Sequence, residues 1–104
     1  MPHITVRGVP MEELTKLAKP LKDAVVQVAE VKAEYVKVFY SPVLRVDEGQ
    51  ETAVDIYWMH RPQELCDRVA EAVTAFWKAQ GKDFVQVTFT EFPGEHFYEN
   101  NVHY

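Results

Sequence analysis

The chain repeats itself, and that repeat restricts its fold more than any other feature. Glu34 to Ser41 runs beside Asp83 to Thr90 with like chemistry at nearly every position, and Ile4 to Pro10 runs beside Ile56 to Pro62, proline against proline. Each copy reads as strand, helix, strand. A helix crossing between two parallel strands does so with one hand, so two such units in tandem place both helices on one face of a shared sheet. The expected fold is α+β: a tandem β-α-β repeat forming a four-stranded mixed sheet with two helices on one face. A single domain is expected over residues 1–104, with pseudo-repeats over roughly 2–46 and 52–92 and a C-terminal tail over 93–104.

Local patterns fill in this outline. Ile4 and Val6 alternate with His3, Thr5 and Arg7, which reads as a strand over residues 3–9. Pro10 suits the first turn of a helix, and Glu12 and Glu13 suit the positive end of its dipole. Leu14, Leu17, Leu21, Ala24, Val25 and Val28 keep a helical spacing across Pro20. The proline removes one hydrogen bond and crowds the preceding turn, so a kink is expected there. Tyr35 to Tyr40 reads as a second strand, Arg45 to Glu51 as a turn or hairpin loop, and Thr52 to Met59 as a third strand with Val54, Ile56 and Trp58 inward. Pro62 opens a second helix with the stripe Leu65, Val69, Ala72, Val73 and Phe76, and Gly81 stands where a C-terminal cap belongs. Phe84 to Phe89 completes the set of strands. The inward residues of the second and fourth strands are Val36, Val38, Val85 and Val87. The opposite sheet face carries His3, Thr5, Arg7, Lys37, Phe39, Asp55, Tyr57, Met59, Gln86 and Thr88. That mixture is too apolar for free water and too polar for a closed core, which predicts an oligomer interface or a ligand floor.

Charge and composition exclude several classes. A net charge of −5 with no concentrated basic face argues against a nucleic-acid partner. Apolar stretches are strand-length or interrupted by charge, so neither a signal peptide nor a membrane span is expected. The single cysteine, Cys66, forms no internal disulfide and reads as a buried thiol beside the helical stripe. These features fit a soluble cytoplasmic protein.

The chemistry-bearing candidate is the start of the chain. Methionine before a small residue is usually trimmed, and trimming converts Pro2 into a free secondary amine, a base that burial or neighbouring cations tune towards neutrality. Without that cleavage Pro2 is an amide nitrogen that merely opens an edge strand. Arg7 is either a solvent-facing charge or an anion anchor. Arg61, directly before the second helix, is either a flank or a partner of that helix terminus in holding a carboxylate. His96 and His103 with Glu95 and Glu99 match no short metal-ligand spacing, so neither metal nor cofactor is expected. The tail aromatics Phe97, Tyr98 and Tyr104 are expected to pack across a subunit boundary, with Tyr98 also able to reach a ligand.

With the tandem architecture, Pro2 opening the first strand and the Val36-Lys37-Val38 segment, the chain resembles the tautomerase superfamily, which includes oxalocrotonate tautomerase and macrophage migration inhibitory factor (MIF). Within it the chain is most similar to an uncharacterised bacterial branch. The stretches that carry this are Met1-Pro2-His3 with Arg7, Val54 to Trp58 followed by Arg61, and the ending Phe97 to Tyr104. The resemblance implies a homotrimer in which the freed proline amine moves a proton between carbon and oxygen of an enol or 2-oxo acid. It places Pro2 at the base and Lys37 where many members carry an arginine, although a lysine does not grip a carboxylate in two-pronged fashion. Gln86 and Thr88 fall near positions that line some members' pockets. Where short-chain members place an arginine after the first strand, this chain has Met11, Glu12 and Glu13, which argues against diacid substrates and leaves Arg7 or Arg61 as substitutes.

The expected function is therefore a tautomerase acting on an aromatic or small 2-oxo acid. Pro2 would act as base and acid, and Arg7, Lys37, Arg61 and Tyr98 would bind substrate. Two alternatives share the element order: a ferredoxin-like small-ligand-binding module, and a tautomerase-like trimer without catalysis. Strand order separates the first from the main reading, because only the tautomerase arrangement pairs each unit's own two strands in parallel.

Overall fold

The computed structural model describes residues 1–104. Its first unit comprises strand β1 (His3–Arg7), helix α1 (Met11–Ala29) and strand β2 (Lys37–Tyr40). The second comprises β3 (Thr52–Met59), α2 (Gln63–Ala79) and β4 (Val85–Phe92). The tail adds a short hairpin, β5 (Tyr98–Glu99) and β6 (Val102–His103). The main sheet runs β2-β1-β3-β4, with β1 and β2 parallel, β3 and β4 parallel, and β1 and β3 antiparallel at the centre. Each unit thus pairs its own strands, unlike the split pairing of a ferredoxin-like sheet. The fold is tautomerase/MIF-like, as the resemblance implied.

Alternation does the sorting. Ile4, Val6, Val54, Ile56 and Trp58 are buried against the helices, with Ile4 facing Ile56 and Val6 facing Val54 across the central pair. Val36 is buried as well, and Val38, Val85 and Val87 pack against the core from partly covered positions. Helix α1 contributes Leu14, Leu21 and Val25, and it continues unbroken through Pro20. Helix α2 contributes Cys66, Val69, Val73 and Trp77. This face differs from the expected stripe by a small rotation: Leu65 and Phe76 pack at the margin while Cys66 and Trp77 are fully covered. The reason is that several faces of α2 satisfy an i, i+4 apolar spacing, and packing against the sheet selects one. No helix is long and apolar enough to cross a membrane.

Turn chemistry fits the elements. Pro10 and Pro62 both stand one residue outside their helices with nearly identical backbone angles (φ −58, ψ 144 and φ −59, ψ 146), so the sequence repeat is also a structural one. After α2, Gly81 adopts φ +85, its N–H bonds to the Lys78 carbonyl and the Lys82 N–H reaches back to Trp77. This is the Schellman arrangement that glycine accommodates without a Cβ penalty. Three boundaries differ from expectation, the first being β1, which stops at Arg7 before Gly8 turns at positive φ. Ala33 to Tyr35 form a 3₁₀ turn, which shortens β2, and β4 extends to Phe92 because its parallel ladder with β3 continues through Met59.

Candidate functional site

The N-terminal end of β1 is built by three elements and the tail. Lys37 and Tyr57 flank His3 in register on β2 and β3, and Thr90 on β4 continues the row. All four project from the helix-free face, by the strict alternation of strands. The Pro2 carbonyl accepts the Lys37 N–H at 3.2 Å, which fixes the chain start beside β2. The tail then folds back over this end of the sheet. Phe97 stacks on Phe92 at 5.6 Å between centroids and meets His3 edge-on at 6.3 Å, and Tyr104 meets Phe97 at 5.2 Å. Phe97 is therefore partly covered within the protomer, with Tyr104 against its edge. Tyr98 and Tyr104 stay exposed, at 58% and 50%, and Tyr98 meets His103. The hairpin turn that lets the tail close is Asn100-Asn101, both at positive φ (48 and 68), a geometry asparagine tolerates and two-residue hairpins require.

These parts enclose a small cavity of about 220 Å³, lined by Met1, His3, Glu34, Tyr35, Lys37, Phe97, Glu99 and Tyr104. The Met1 side chain is only 7% exposed, and Pro2 beneath it is fully buried. Burial pushes the terminal amine below its ordinary value; the Glu99 carboxylate opposes this, and the positive charges of Lys37 and Arg61 reinforce it. His3 is held below the usual imidazole range by burial first and then by Lys37 and the terminal amine, again against Glu99. Glu99 accepts a hydrogen bond from the Tyr104 hydroxyl, so its charge is partly occupied.

Arg61 owes its place to Glu91, which the sequence reading did not single out. The Glu91 carboxylate accepts the Trp58 indole N–H at 2.8 Å, the Arg61 backbone N–H at 3.2 Å and the Cys66 thiol at 3.5 Å, and it meets His60 Nδ1 at 3.2 Å. Burial alone would raise the Glu91 carboxyl, but these hydrogen bonds outweigh it and hold it below its ordinary value. The Cys66 thiol is pushed up, by burial and then by the same carboxylate. With its backbone anchored, the Arg61 guanidinium lies over the Trp58 ring at 5.6 Å, and its buried Nε has no partner.

Of the residues singled out in the sequence, Pro2 and Lys37 meet at this end, and Arg61 acts on it through its charge. Arg7 does not. It sits at the opposite end of β1, about 13 Å along the strand from His3, with its Nε 3.5 Å from Asp55 Oδ2. Pro2, Arg61 and Tyr98 all lie outside the cavity lining, and Tyr98's neighbours Phe97, Glu99 and Tyr104 take its place. Gln86 and Thr88 lie on the far edge strand, away from the N-terminus. The sequence offered Phe97, Glu99 and Tyr104 for other roles and singled out none of Glu34, Tyr35 and Glu91, and only the Asn100-Asn101 turn signalled that the tail reverses.

A larger open groove of about 1570 Å³ lies at the other end of β1, under residues 41–51. Its charges already answer one another. Arg45 pairs with Asp47 and, at 3.3 Å, with Glu51, and Lys82 pairs with Glu13 at 2.9 Å. That groove therefore offers no free cation to a carboxylate. No group of three or more His, Cys, Asp or Glu side chains is arranged to hold a metal ion.

Comparison with known proteins agrees with this architecture. The family described as a domain of unknown function, DUF1904, matches residues 1–103. The crystal structure of a DUF1904 domain from Sebaldella termitidis is similar at 27% identity with a TM-score of 0.87, covering 100% of both chains. A fused 4-OT symmetric trimer is similar at 22% identity and TM-score 0.76, covering 98% of this chain and 94% of that one. Macrophage migration inhibitory factor from Toxoplasma gondii is similar at 17% identity and TM-score 0.71, covering 99% and 98%. The last two likenesses establish the fold. No curated protein matches the chain.

Proposed function

We propose, from the premise that this chain belongs to the DUF1904 family and has the tautomerase/MIF fold, that it is a keto–enol tautomerase whose base is the amine of Pro2 once Met1 is removed. The observation that carries the reading is the terminal amine itself. In the uncleaved chain that amine belongs to Met1, which lines a small cavity, and it is lowered by burial and by the charges of Lys37 and Arg61 against the opposing Glu99. Removing Met1 would leave the secondary amine of Pro2 as the chain terminus at the same end of the sheet. There the same two cations would favour the neutral amine, the form a general base needs. In the keto-to-enol direction, the Pro2 nitrogen takes a proton from the carbon next to the carbonyl, and the carbonyl oxygen gains the negative charge. Lys37 and Arg61 favour that charge and the substrate carboxylate. In ketonisation the proton returns to carbon. The aromatic lining from Tyr35, Phe97 and Tyr104 suits an aryl-substituted 2-oxo acid better than a diacid.

A trimer goes with this reading. Phe39 and Tyr57 on the helix-free face are 46% and 44% exposed, an apolar offering that a second copy would cover. A fused 4-OT of this fold is itself described as a symmetric trimer. A solution mass three times the 12.0 kDa protomer is expected by light scattering.

One observation favours a second reading, a binding trimer without catalysis: Met1 is well packed where it stands and covers Pro2. The two readings separate in one experiment. Intact mass of untagged protein is expected to be short by one methionine, and the cleaved protein is expected to ketonise phenylenolpyruvate. Pro2→Ala, similarly cleaved, should lose on the order of 10²-fold or more in kcat with an unchanged solution mass. Equal rates in wild type and Pro2→Ala would remove the proline mechanism.

A further inference from the structure

The site contains a second proton-carrying group that the reading above leaves unused. His3 is the residue after the proposed base, and it lines the cavity that Met1 occupies above Pro2. It stands between Lys37 on β2 and Tyr57 on β3, braced edge-on by Phe39 at 5.5 Å and Phe97 at 6.3 Å. His60 and His103 spend their Nδ1 atoms on contacts within the chain, whereas His3 makes no such hydrogen bond. An imidazole oriented by two aromatic rings, lining a cavity and carrying unengaged nitrogens is placed to exchange a proton with a small molecule bound there. The groups facing it are Lys37 from β2, Tyr57 from β3, Glu34 and Tyr35 from the 3₁₀ turn, Glu99 and Tyr104 from the tail, and the terminal amine. Burial and the cations among them favour the neutral ring at pH 7.

We propose that His3 is a second catalytic residue of this site, handling the proton on the substrate oxygen while Pro2 handles the proton on carbon. This rests on the tautomerase reading above. In ketonisation a neutral His3 nitrogen takes the enol O–H proton. The O–H electron pair becomes the second bond of the carbonyl, and the carbon–carbon double-bond pair takes a proton from the Pro2 ammonium. His3 ends protonated and Pro2 neutral, and exchange with water restores both. No other reactant is needed.

The arrangement makes ketonisation fall in acid as His3 becomes protonated. Glu99 opposes the lowering of the His3 pKa, so neutralising Glu99 lowers it further and moves that acid limb to lower pH. The test uses Met1-cleaved wild type, His3→Gln, Glu99→Gln and Pro2→Ala, with phenylenolpyruvate as substrate and the His3 ring Cε1–H followed by NMR. Expected results are a kcat loss on the order of 10²-fold in His3→Gln with KM within about threefold, disappearance of its acid limb, and a downward shift of that limb in Glu99→Gln. Phenylpyruvate should also shift the His3 resonance and its titration midpoint in both wild type and Pro2→Ala. If Pro2→Ala is inactive but His3→Gln keeps the wild-type rate and pH profile, the His3 role is overturned while the Pro2 reading survives. If the His3 resonance ignores phenylpyruvate, the His3 role is overturned independently of any rate. If the cleaved wild type does not turn over the enol, both fall together.

Discussion

Removing the Glu91 carboxylate should destabilise the fold far more than a partly exposed surface glutamate would suggest. In Glu91→Ala the Trp58 indole N–H loses its acceptor in a ring that has no solvent exposure. A buried donor left unpaired costs about 1–3 kcal/mol, and a hydrogen bond to a charged acceptor contributes about 1.5–3 kcal/mol. The Arg61 N–H and the His60 ring are exposed enough for water to replace much of what they lose. The Cys66 contact, at 3.5 Å, is weak. The expected loss is about 2–4 kcal/mol, or on the order of 10 °C or more in Tm for a chain of this size. Glu91→Gln keeps one acceptor oxygen and should lose about half as much. Because folding lowers the Glu91 pKa beneath 4.5, its charge stabilises the fold above that value. The contribution disappears as pH falls through the folded pKa. The gap between wild type and Glu91→Gln should therefore be full at pH 7 and close in acid as the folded carboxyl takes up its proton. Urea unfolding followed by far-UV circular dichroism, at one fixed protomer concentration, measures this. A Glu91→Ala protein within 0.5 kcal/mol of wild type at pH 7, or a Gln variant whose deficit persists unchanged in acid, would refute the reasoning.

Two glycines at positive φ should behave differently. At Gly8 an added Cβ would sit 2.0 Å from the Glu51 carbonyl oxygen, whereas at Gly81 nothing lies within 4 Å. Gly81→Ala should cost about 1 kcal/mol of left-handed strain, and Gly8→Ala several times that or no folded protein; equal thermal shifts would count against the close β1–residue 51 approach. Lys37→Ala should raise the KM for an enol carboxylate by on the order of 10–100-fold, the worth of one charge-assisted hydrogen bond. Arg7→Ala, with its charge already paired to Asp55 at the other end of β1, should leave KM within about twofold. Steady-state kinetics on the two variants tests which end of the strand holds substrate, and the reverse pattern would move the site.

Much of the architecture was legible because it is written at short range. Period-two alternation marked Ile4, Val6, Val54, Ile56 and Trp58 as inward, and all are buried. Paired prolines and the glycine at 81 marked helix ends, since φ restriction and a missing Cβ act on the residue that carries them. The repeat then dictated both helices on one face. The face of α2 was legible only to within a rotation, because Leu65 and Phe76 fit the helical period as well as Cys66 and Trp77 do.

By itself the sequence determined the element order, the inward set, the helix-free face and the chemical possibility of a bare proline amine. Tertiary structure decided which charges surround the chain start. Strand register carries Lys37 to His3 and leaves Arg7 at the opposite end of the same strand, and no local pattern records register. The return of the tail brings Phe97, Glu99 and Tyr104 over the chain start, and Glu91 tethers the backbone of Arg61 from a strand thirty residues away in the chain. Those contacts join residues far apart in sequence, so their energy is absent from any window of neighbouring residues and appears only when the sheet has closed.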